Sequence, residues 1–305
     1  MEIIFLGTGA GIPSPLRNVS SLALLLPEYQ GETWLFDCGE ATQHHILSSP
    51  VRLTKITRIW ITHLHGDHIY GLPGLLGSRS FQGAETPLTV YGPRGIQTFI
   101  ETTLQTSYTY LRYPLNIVEI EDHMQITVPP FDVTIRLLEH GIPSYGYRLE
   151  EHPQPGTLNA KKLLADGLPP GPLYQSLKRG ETITLPDGRT FCGKDYLSTP
   201  KLGKIISILG DTRFTEASIQ LAEQANLLIH ESTYGAGQES LAFQHHHATC
   251  TQAAEVALRA GAKSLILNHI SSRFTDETAT DLITSAQNIF PQTQLAHDGY
   301  SYTIY

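Results

Sequence analysis

The chain has 305 residues, 40% of them apolar and 16% charged, with a formal net charge of −8. That length supports a sizeable core in one large domain or two smaller ones, and the composition excludes a disordered chain. The negative balance argues against a general nucleic-acid binder, and no apolar run reaches the roughly 18 residues that would span a membrane.

The opening 2-EIIFLG-7 reads as a strand entering a glycine turn, without the basic flank and long apolar core of a signal peptide. Short β-rich runs follow at 21-SLALLL-26, 33-TWLFDCG-39, 56-ITRIWITH-63 and 131-FDVTIRLLEH-140, with helical patterns at 40-EATQHHILSS-49 and 94-RGIQTFIETTLQ-105. Residues 152–203 break this rhythm. They are rich in Pro and Gly with little core pattern, as in a linker or a functional insertion. Residues 156–204 hold eight Lys/Arg and four acids, a local +4 that leaves −12 for the rest. Beyond them, strands are expected at 205–211, 226–231, 264–269 and 294–299. Helices are expected at 214–224, 249–261 and 275–289, with Thr249 as an N-cap and Gly261 as a stop. Strands alternating with helices predict an α/β fold. Cys38, Cys192 and Cys250 are scattered, with no C-x-x-C, so neither a disulfide framework nor a cysteine zinc site is expected. A reducing cytoplasm fits this usage.

Ligands in α/β folds gather beyond the carboxyl ends of strands. Those ends carry His63, His65, Asp67 and His68 in 62-THLHGDH-68, then His140, Asp211 and His269. The first stretch has three readings: a solvated polar turn, a buried hydrogen-bond network or a metal site. A lone histidine at such a place is most often a hydrogen-bonded core residue. Seven imidazoles and carboxylates at four strand ends would demand a large buried polar network with no other purpose. Imidazole nitrogen and carboxylate oxygen are good zinc ligands, and one catalytic zinc takes about three from the protein. Seven suit two metals with a carboxylate between them. Alternate residues of an extended turn point the same way, so His63 and His65 would serve one ion, Asp67 and His68 the other.

With H-x-H-x-D-H followed by a distant His, Asp and His, the chain resembles the metallo-β-lactamase superfamily. The resemblance implies a four-layer αβ/βα sandwich with both metals in the cleft between the sheets. It implies His63, His65 and His140 on one zinc, Asp67, His68 and His269 on the other, and Asp211 bridging. Four further stretches narrow the likeness: 5-FLGTGAGIPSPLRNVSS-21, the pair 230-HEST-233 and 247-HAT-249, 167-GLPPGPLYQSLKRG-180 and 269-HISSRF-274. Together they resemble the short form of the ribonuclease Z (tRNase Z) family, from residue 1 to about 300. That resemblance implies a zinc-dependent endoribonuclease that removes the 3′ trailer from precursor tRNA. It would cut after the discriminator nucleotide, leaving a 3′-hydroxyl on the tRNA and a 5′-phosphate on the trailer. It further implies two Zn2+ per chain, with Mn2+ or Mg2+ as substitutes, and a homodimer. A single metallo-hydrolase domain, 1–305, would carry residues 152–203 as a flexible arm that grips the tRNA elbow. The competing reading is another dinuclear hydrolase of this fold, a small-molecule phosphodiesterase or arylsulfatase, which has no need of residues 152–203. A non-catalytic RNA-binding protein is disfavoured, because a structural zinc needs no open dinuclear site.

Two metals can bind a phosphodiester and stabilise the charge of an in-line displacement. Asp67 is expected both as ligand and, by the resemblance, as general base. The departing 3′-oxygen needs a proton, which His247 is placed to give. It follows the polar run 244-QHH-246 and precedes a helix start, so it belongs on a loop. Glu231, ending a strand, would hydrogen-bond His247 and favour its charged form. Ser271, Ser272 and Arg273 follow a metal ligand and offer hydroxyls and a guanidinium to a phosphate. Arg17 and Asn18 in 13-PSPLRN-18 match a family loop, P-x-K-x-R-N, implicated in rejecting tRNAs that already end in CCA. Pro15 stands in the place of its lysine, which predicts incomplete discrimination. In the arm, Gly171, Pro172 and Lys178 are expected tRNA contacts, with Lys161, Lys162 and Arg179 nearby, since folded RNA is read largely by shape and phosphate. His44, His45, His245 and His246 read as surface residues, and His230 as a core residue.

Overall fold

Many strands of this chain are apolar at nearly every position rather than at alternate ones, because both of their faces are covered. The computed structural model describes residues 1–304. The first part forms β1 (Glu2–Gly7), β2 (Gly9–Ala10), β3 (Ser21–Leu26), β4 (Glu32–Phe36), β5 (Ile56–Trp60), β6 (Leu88–Gly92) and β7 (Leu115–Glu119). Between them lie α1 (Thr42–Leu47), α2 (Gly66–Ile69), α3 (Leu72–Phe81) and α4 (Ile96–Thr106). Next come β8 (Gln125–Val128), β9 (Phe131–Leu138) and β10 (Ser144–Glu151), then α5 (Ala160–Ala165), α6 (Leu173–Lys178), β11 (Thr182–Thr184) and β12 (Thr190–Cys192). The last part runs β13 (Ile205–Leu209), α7 (Glu216–Ala222), β14 (Leu227–Glu231), α8 (Glu239–Gln244), α9 (Cys250–Ala260), β15 (Leu265–Asn268) and β16 (Ile270–Ser271). It closes with α10 (Asp276–Gln287), β17 (Thr293–Leu295) and β18 (Ser301–Thr303).

One large sheet has the order β18-β1-β3-β4-β5-β6-β7, the other β17-β15-β14-β13-β10-β9-β8. Strands β4 to β7 are parallel, as are β13, β14, β15 and β17, so their carboxyl ends share an edge within each sheet. Phe36 and Trp60 of the first sheet pack against Tyr147 of the second, at 6.0 and 5.4 Å between ring centroids. The alternate residues Leu35 and Ile59 join Leu75 and Leu76 of α3 and Ile100 of α4 on the outer face. Leu228, Leu265 and Leu267 of the second sheet are covered likewise by Ala253 and Ala257 of α9 and Leu282 of α10. The layers therefore run helix, sheet, sheet, helix. Helix α9 starts and stops where expected: Thr249 and Gln252 form a capping box, and Gly261 is left-handed at φ 64°.

The two sheets are stitched at the edge that carries the strand ends. The Tyr145 N–H of the second sheet donates to the Thr62 carbonyl after β5 of the first at 2.9 Å, and β2, which follows β1, pairs with β16, which follows β15. Strands β5, β9 and β13 stop at Trp60, Leu138 and Leu209, two or three residues short of the expected ends. Their polar termini leave the ladder to enter the cleft. Helix α3 and strands β6, β7 and β10 were not among the expected elements. In α3 the leucines are interleaved with Pro73, Gly74 and Gly77, which blurs the helical pattern.

Val128–Asp132 and Glu150–Lys204 form one compact unit and the remaining described residues another. The first of these has a core where little was expected: Leu158, Leu163, Leu168, Leu177 and Phe191 are buried together. They come from two short helices, a loop and a hairpin, so no single period marks them. Among the described residues no helix is long and apolar enough to cross a membrane, and the three cysteines are free.

Gly210 sits at the seam between the sheets. A Cβ there would lie 2.7 Å from Thr62 Cβ and from Ser144 Oγ. Gly210→Ala is expected to cost about 1–3 kcal/mol of stability, read from denaturant unfolding. An unchanged midpoint would mean that the seam yields freely.

Candidate metal centre

The turn after β5 runs into α2 and delivers His63, His65, Asp67 and His68. His140 follows β9, Asp211 follows β13, and His269 lies between β15 and β16. The structure brings all seven expected ligands to one place. One atom from each of His63, His65 and His140 lies within 4.8 Å of the others, and the same holds for Asp67, His68 and His269. Asp211 Oδ2 stands between the groups, 3.6 Å from His63 Nε2, 3.6 Å from His68 Nε2 and 3.3 Å from His269 Nε2.

The other ring nitrogen of each buried imidazole is held from behind. His68 Nδ1 donates to Asp37 Oδ2 at 2.8 Å, and His140 Nδ1 donates to the His246 carbonyl at 2.8 Å. His269 Nδ1 meets Thr233 Oγ1 at 2.9 Å, whose hydroxyl donates to Glu231 Oε2 at 2.7 Å. Such contacts fix the tautomer and aim the free nitrogen into the cleft. His63 Nε2 is buried and has no hydrogen-bond partner in the protein. A buried polar atom with no partner is costly, and a cation would satisfy it.

The electrostatics point the same way. Burial pushes the pKa values of His63, His65 and His140 down, so they are neutral donors at neutral pH. Burial opposes the charge on Asp67, but hydrogen bonds with His269 and His68 hold its carboxyl well below the usual range. Burial opposes charge on His68 as well, yet Asp211 and Asp37 push its pKa well above normal. A pocket that draws a proton onto a buried imidazole is a pocket that favours a cation.

His247 lies between α8 and α9, as a loop residue. Its Nδ1 donates to Glu231 Oε1 at 2.8 Å. Burial works against the imidazolium, but the Glu231 carboxylate outweighs it and raises the pKa to about 9. Arg273 is exposed, with its guanidinium 4.9 Å over the Tyr234 ring and Nε donating to Ser271 Oγ. Gly171, Pro172 and Lys178 are exposed in the smaller unit. Arg17 and Asn18 depart from expectation. Both are buried: Arg17 Nη1 donates to Thr8 Oγ1 and the Ala296 carbonyl, and Asn18 Nδ2 donates to the Glu40 carbonyl. They hold the loop in place instead of offering themselves to RNA, because the loop folds back under its own exposed tip at Pro15 and Leu16. His246 is also more than a surface residue, since its carbonyl orients His140.

The Ribonuclease Z of Geobacillus kaustophilus is 54% identical over 304 residues, covering 100% of this chain and 99% of the relative. The chain belongs to the ribonuclease Z family. The Ribonuclease Z of Anoxybacillus flavithermus is 55% identical, covering 100% and 97% of the two chains. Human tRNase Z, short form, superposes with a TM-score of 0.71 at 31% identity, with full coverage of both chains. The metallo-β-lactamase fold protein YhfI of Bacillus subtilis gives 0.68 at 18% identity over 99% and 98% of the chains, which speaks to the fold alone. A family profile described as "Anti-Pycsar protein Apyc1" matches residues 1–148. The architecture is thus the metallo-β-lactamase fold.

Three residues of this ribonuclease Z family member were not singled out from its sequence. Asp37 ends the run 33-TWLF-36, the same signal that marked Asp211. Thr233 lies inside the HEST stretch. Arg213 had no signal: it donates to Glu139 Oε1 and to the Phe243 carbonyl, tying the segment before His140 to the last turn of α8. Asp37→Asn keeps size but loses the acceptor for both His68 Nδ1 and Thr62 Oγ1. Metal affinity is expected to fall about 10–100-fold, measured by chelator competition; unaltered affinity would reduce Asp37 to a packing role.

Proposed function

We propose that this chain, an endoribonuclease of the ribonuclease Z family, removes the 3′ trailer from precursor tRNA with two resident zinc ions, Mn2+ or Mg2+ serving as substitutes. The observation that carries this reading is Asp211 within reach of imidazoles from both ligand groups, beside the His247–Glu231 pair. His63, His65 and His140 would hold one ion, Asp67, His68 and His269 the other, and Asp211 both. Bound there, the metals supply Lewis-acid polarisation of the phosphoryl group and ease the ionisation of the attacking water.

The residues divide the remaining work. Asp67, kept ionised, takes the proton of the attacking water. The water oxygen bonds to phosphorus as the bond from phosphorus to the 3′-oxygen breaks. With Nδ1 committed to Glu231, His247 gives the departing 3′-oxygen its proton from Nε2. The cut falls after the discriminator nucleotide, leaving a 3′-hydroxyl on the tRNA and a 5′-phosphate on the trailer. Arg273 and Ser271 steady a neighbouring phosphate. The smaller unit, including Gly171, Pro172 and Lys178, is the arm that grips the tRNA elbow. We place the enzyme in the cytoplasm as a homodimer.

Matched precursors with and without CCA before the trailer, incubated with the protein and mapped at both new ends, test the reading. Cleavage of a small aryl phosphodiester but of neither precursor would favour the small-molecule phosphodiesterase. Elemental analysis of active protein is expected to approach two zinc per chain, and full activity at one would remove the dinuclear scheme.

The general acid is present below its pKa and lost above it, so single-turnover cleavage is expected to decline above about pH 9. Glu231→Gln removes the charge that raises this pKa and moves the alkaline decline to lower pH. His247→Ala is expected to slow the chemical step by about 10²–10⁴-fold with little change in RNA affinity. A pH profile identical in Glu231→Gln would separate Glu231 from proton transfer.

Lys161 and Lys178 are exposed on the smaller unit. Changing both to Gln is expected to weaken tRNA binding and flatten its salt dependence, by roughly one unit of slope for each phosphate that is no longer neutralised. Binding isotherms at several salt concentrations measure this, and an unaltered slope would place the RNA-binding surface elsewhere.

A further inference from the structure

Helix α2 carries Asp67 and His68 and is capped at its carboxyl end by Tyr70. The Tyr70 ring folds back over Gly66, so closely that a Cβ on Gly66 would lie 2.1 Å from Tyr70 Cε2. The ring is therefore seated on the residue that joins His65 to Asp67, directly beside the metal loop. Yet Tyr70 is 66% exposed. The backbone beneath is fixed as well: the Tyr70 N–H donates to the Gly66 carbonyl and the Gly71 N–H to the Cys38 carbonyl, both at 2.9 Å. Next to the ring is an open space of about 270 Å³ bordered by Glu40, Gln43, His44, Gly71 and Gly74. The two glycines leave part of its wall without side chains. Its rim offers a carboxylate, an amide and an imidazole, and the amide is held by Ser78 Oγ donating to Gln43 Oε1 at 2.8 Å. None of these groups takes part in the metal centre or in proton transfer.

A steadied aromatic face, free volume and a rim of mixed donors and acceptors match a flat ring with polar edges. A phosphate would meet the Glu40 carboxylate unfavourably; a neutral base with amino or imino donors would not. We infer that Tyr70 and this space form a subsite for one unpaired nucleobase of the RNA, next to the scissile phosphate. The inference rests on the endoribonuclease reading above. RNA ends are recognised in this way, by stacking unpaired bases on aromatic side chains and reading their edges with hydrogen bonds. The metal loop then positions the phosphate while Tyr70, one helical turn on, holds the adjoining base. A base locked on this platform fixes which phosphodiester enters the cleft.

The test uses the full chain as Tyr70→Ala and Tyr70→Phe, on precursor tRNA with normal bases and with a single abasic nucleotide on either side of the cut. Bis(p-nitrophenyl) phosphate serves as the substrate without a nucleobase. Tyr70→Ala is expected to lower kcat/KM on normal precursor on the order of tenfold or more, while Tyr70→Phe, which keeps the ring, stays within about twofold. An abasic nucleotide on one side should cost the parent enzyme a similar factor and cost Tyr70→Ala nothing further, because the two changes remove the same stacking interaction. Hydrolysis of the small phosphodiester should be equal in all three proteins. Full RNA activity in Tyr70→Ala, losses that multiply with the abasic change, or an altered oligomeric state that marks Tyr70 as part of an interface between copies would each overturn the subsite. Parent enzyme that hydrolyses the small ester but cuts no precursor would instead bring down the endoribonuclease reading, and the subsite with it.

Discussion

Four carboxylates, Asp37, Asp67, Asp211 and Glu231, are gathered at one edge where two sheets meet, and the rest of the site is organised around their charge. A buried carboxylate is tolerated only when it is paired and hydrogen-bonded. Here each is answered. Asp37 faces His68, Glu231 faces His247, Asp67 faces His68 and His269, and Asp211 faces imidazoles of both ligand groups. The arrangement separates two kinds of histidine by environment. His63, His65 and His140, their pKa values lowered by burial, stay neutral, whereas the Glu231 carboxylate keeps His247 charged and Asp211 and Asp37 draw a proton toward His68. Burial and the nearest carboxylate together set which ring is neutral and which is charged.

Bringing those groups together requires the chain to turn sharply where the strands end. Asp37 and His269 both adopt left-handed backbone, at φ 55°, and His246 does so at φ 62°. Such conformations cost about 1–3 kcal/mol in residues other than glycine. Surrounding hydrogen bonds hold them: the Asp37 carboxylate accepts from the Thr62 backbone and side chain, and the Ile270 N–H that follows His269 donates to the Thr8 carbonyl. The seam between the sheets is therefore part of the chemistry, since Thr62 both joins the sheets and steadies Asp37 and His63.

The acidic chain and an RNA substrate are reconciled by distribution. Metal cations at the cleft would offset the carboxylates there, while basic residues of the smaller unit present a local positive surface. Arg179 and Arg189 are paired there with Glu181 and Asp187, so the positive surplus falls on the lysines. Lys161, Lys178 and Lys201 remain exposed. The smaller unit carries its own core, which gives these lysines a shaped support rather than a loose tether.

The alternation of strands and helices, the seven imidazoles and carboxylates that gather in one place and the pairing of Glu231 with His247 were all legible in the linear chain. Each of these is written locally, as an apolar run that ends in a polar residue or as a short motif with fixed spacing. The caps of α9 were legible too, because Thr249 and Gly261 act through their own backbone neighbours. What depends on distant partners emerged only in the folded chain. Arg17 and Asn18 sit in a loop that looked ready for RNA, but Thr8, Ala296 and Glu40 claim their side chains. Asp37 and Thr233 acquire their roles only when His68 and His269 arrive from other strands. The core of the smaller unit was hidden because its residues come from several short elements with no common period. A motif specifies which atoms are available, but hydrogen bonding between residues far apart in the chain decides which of them face the cleft.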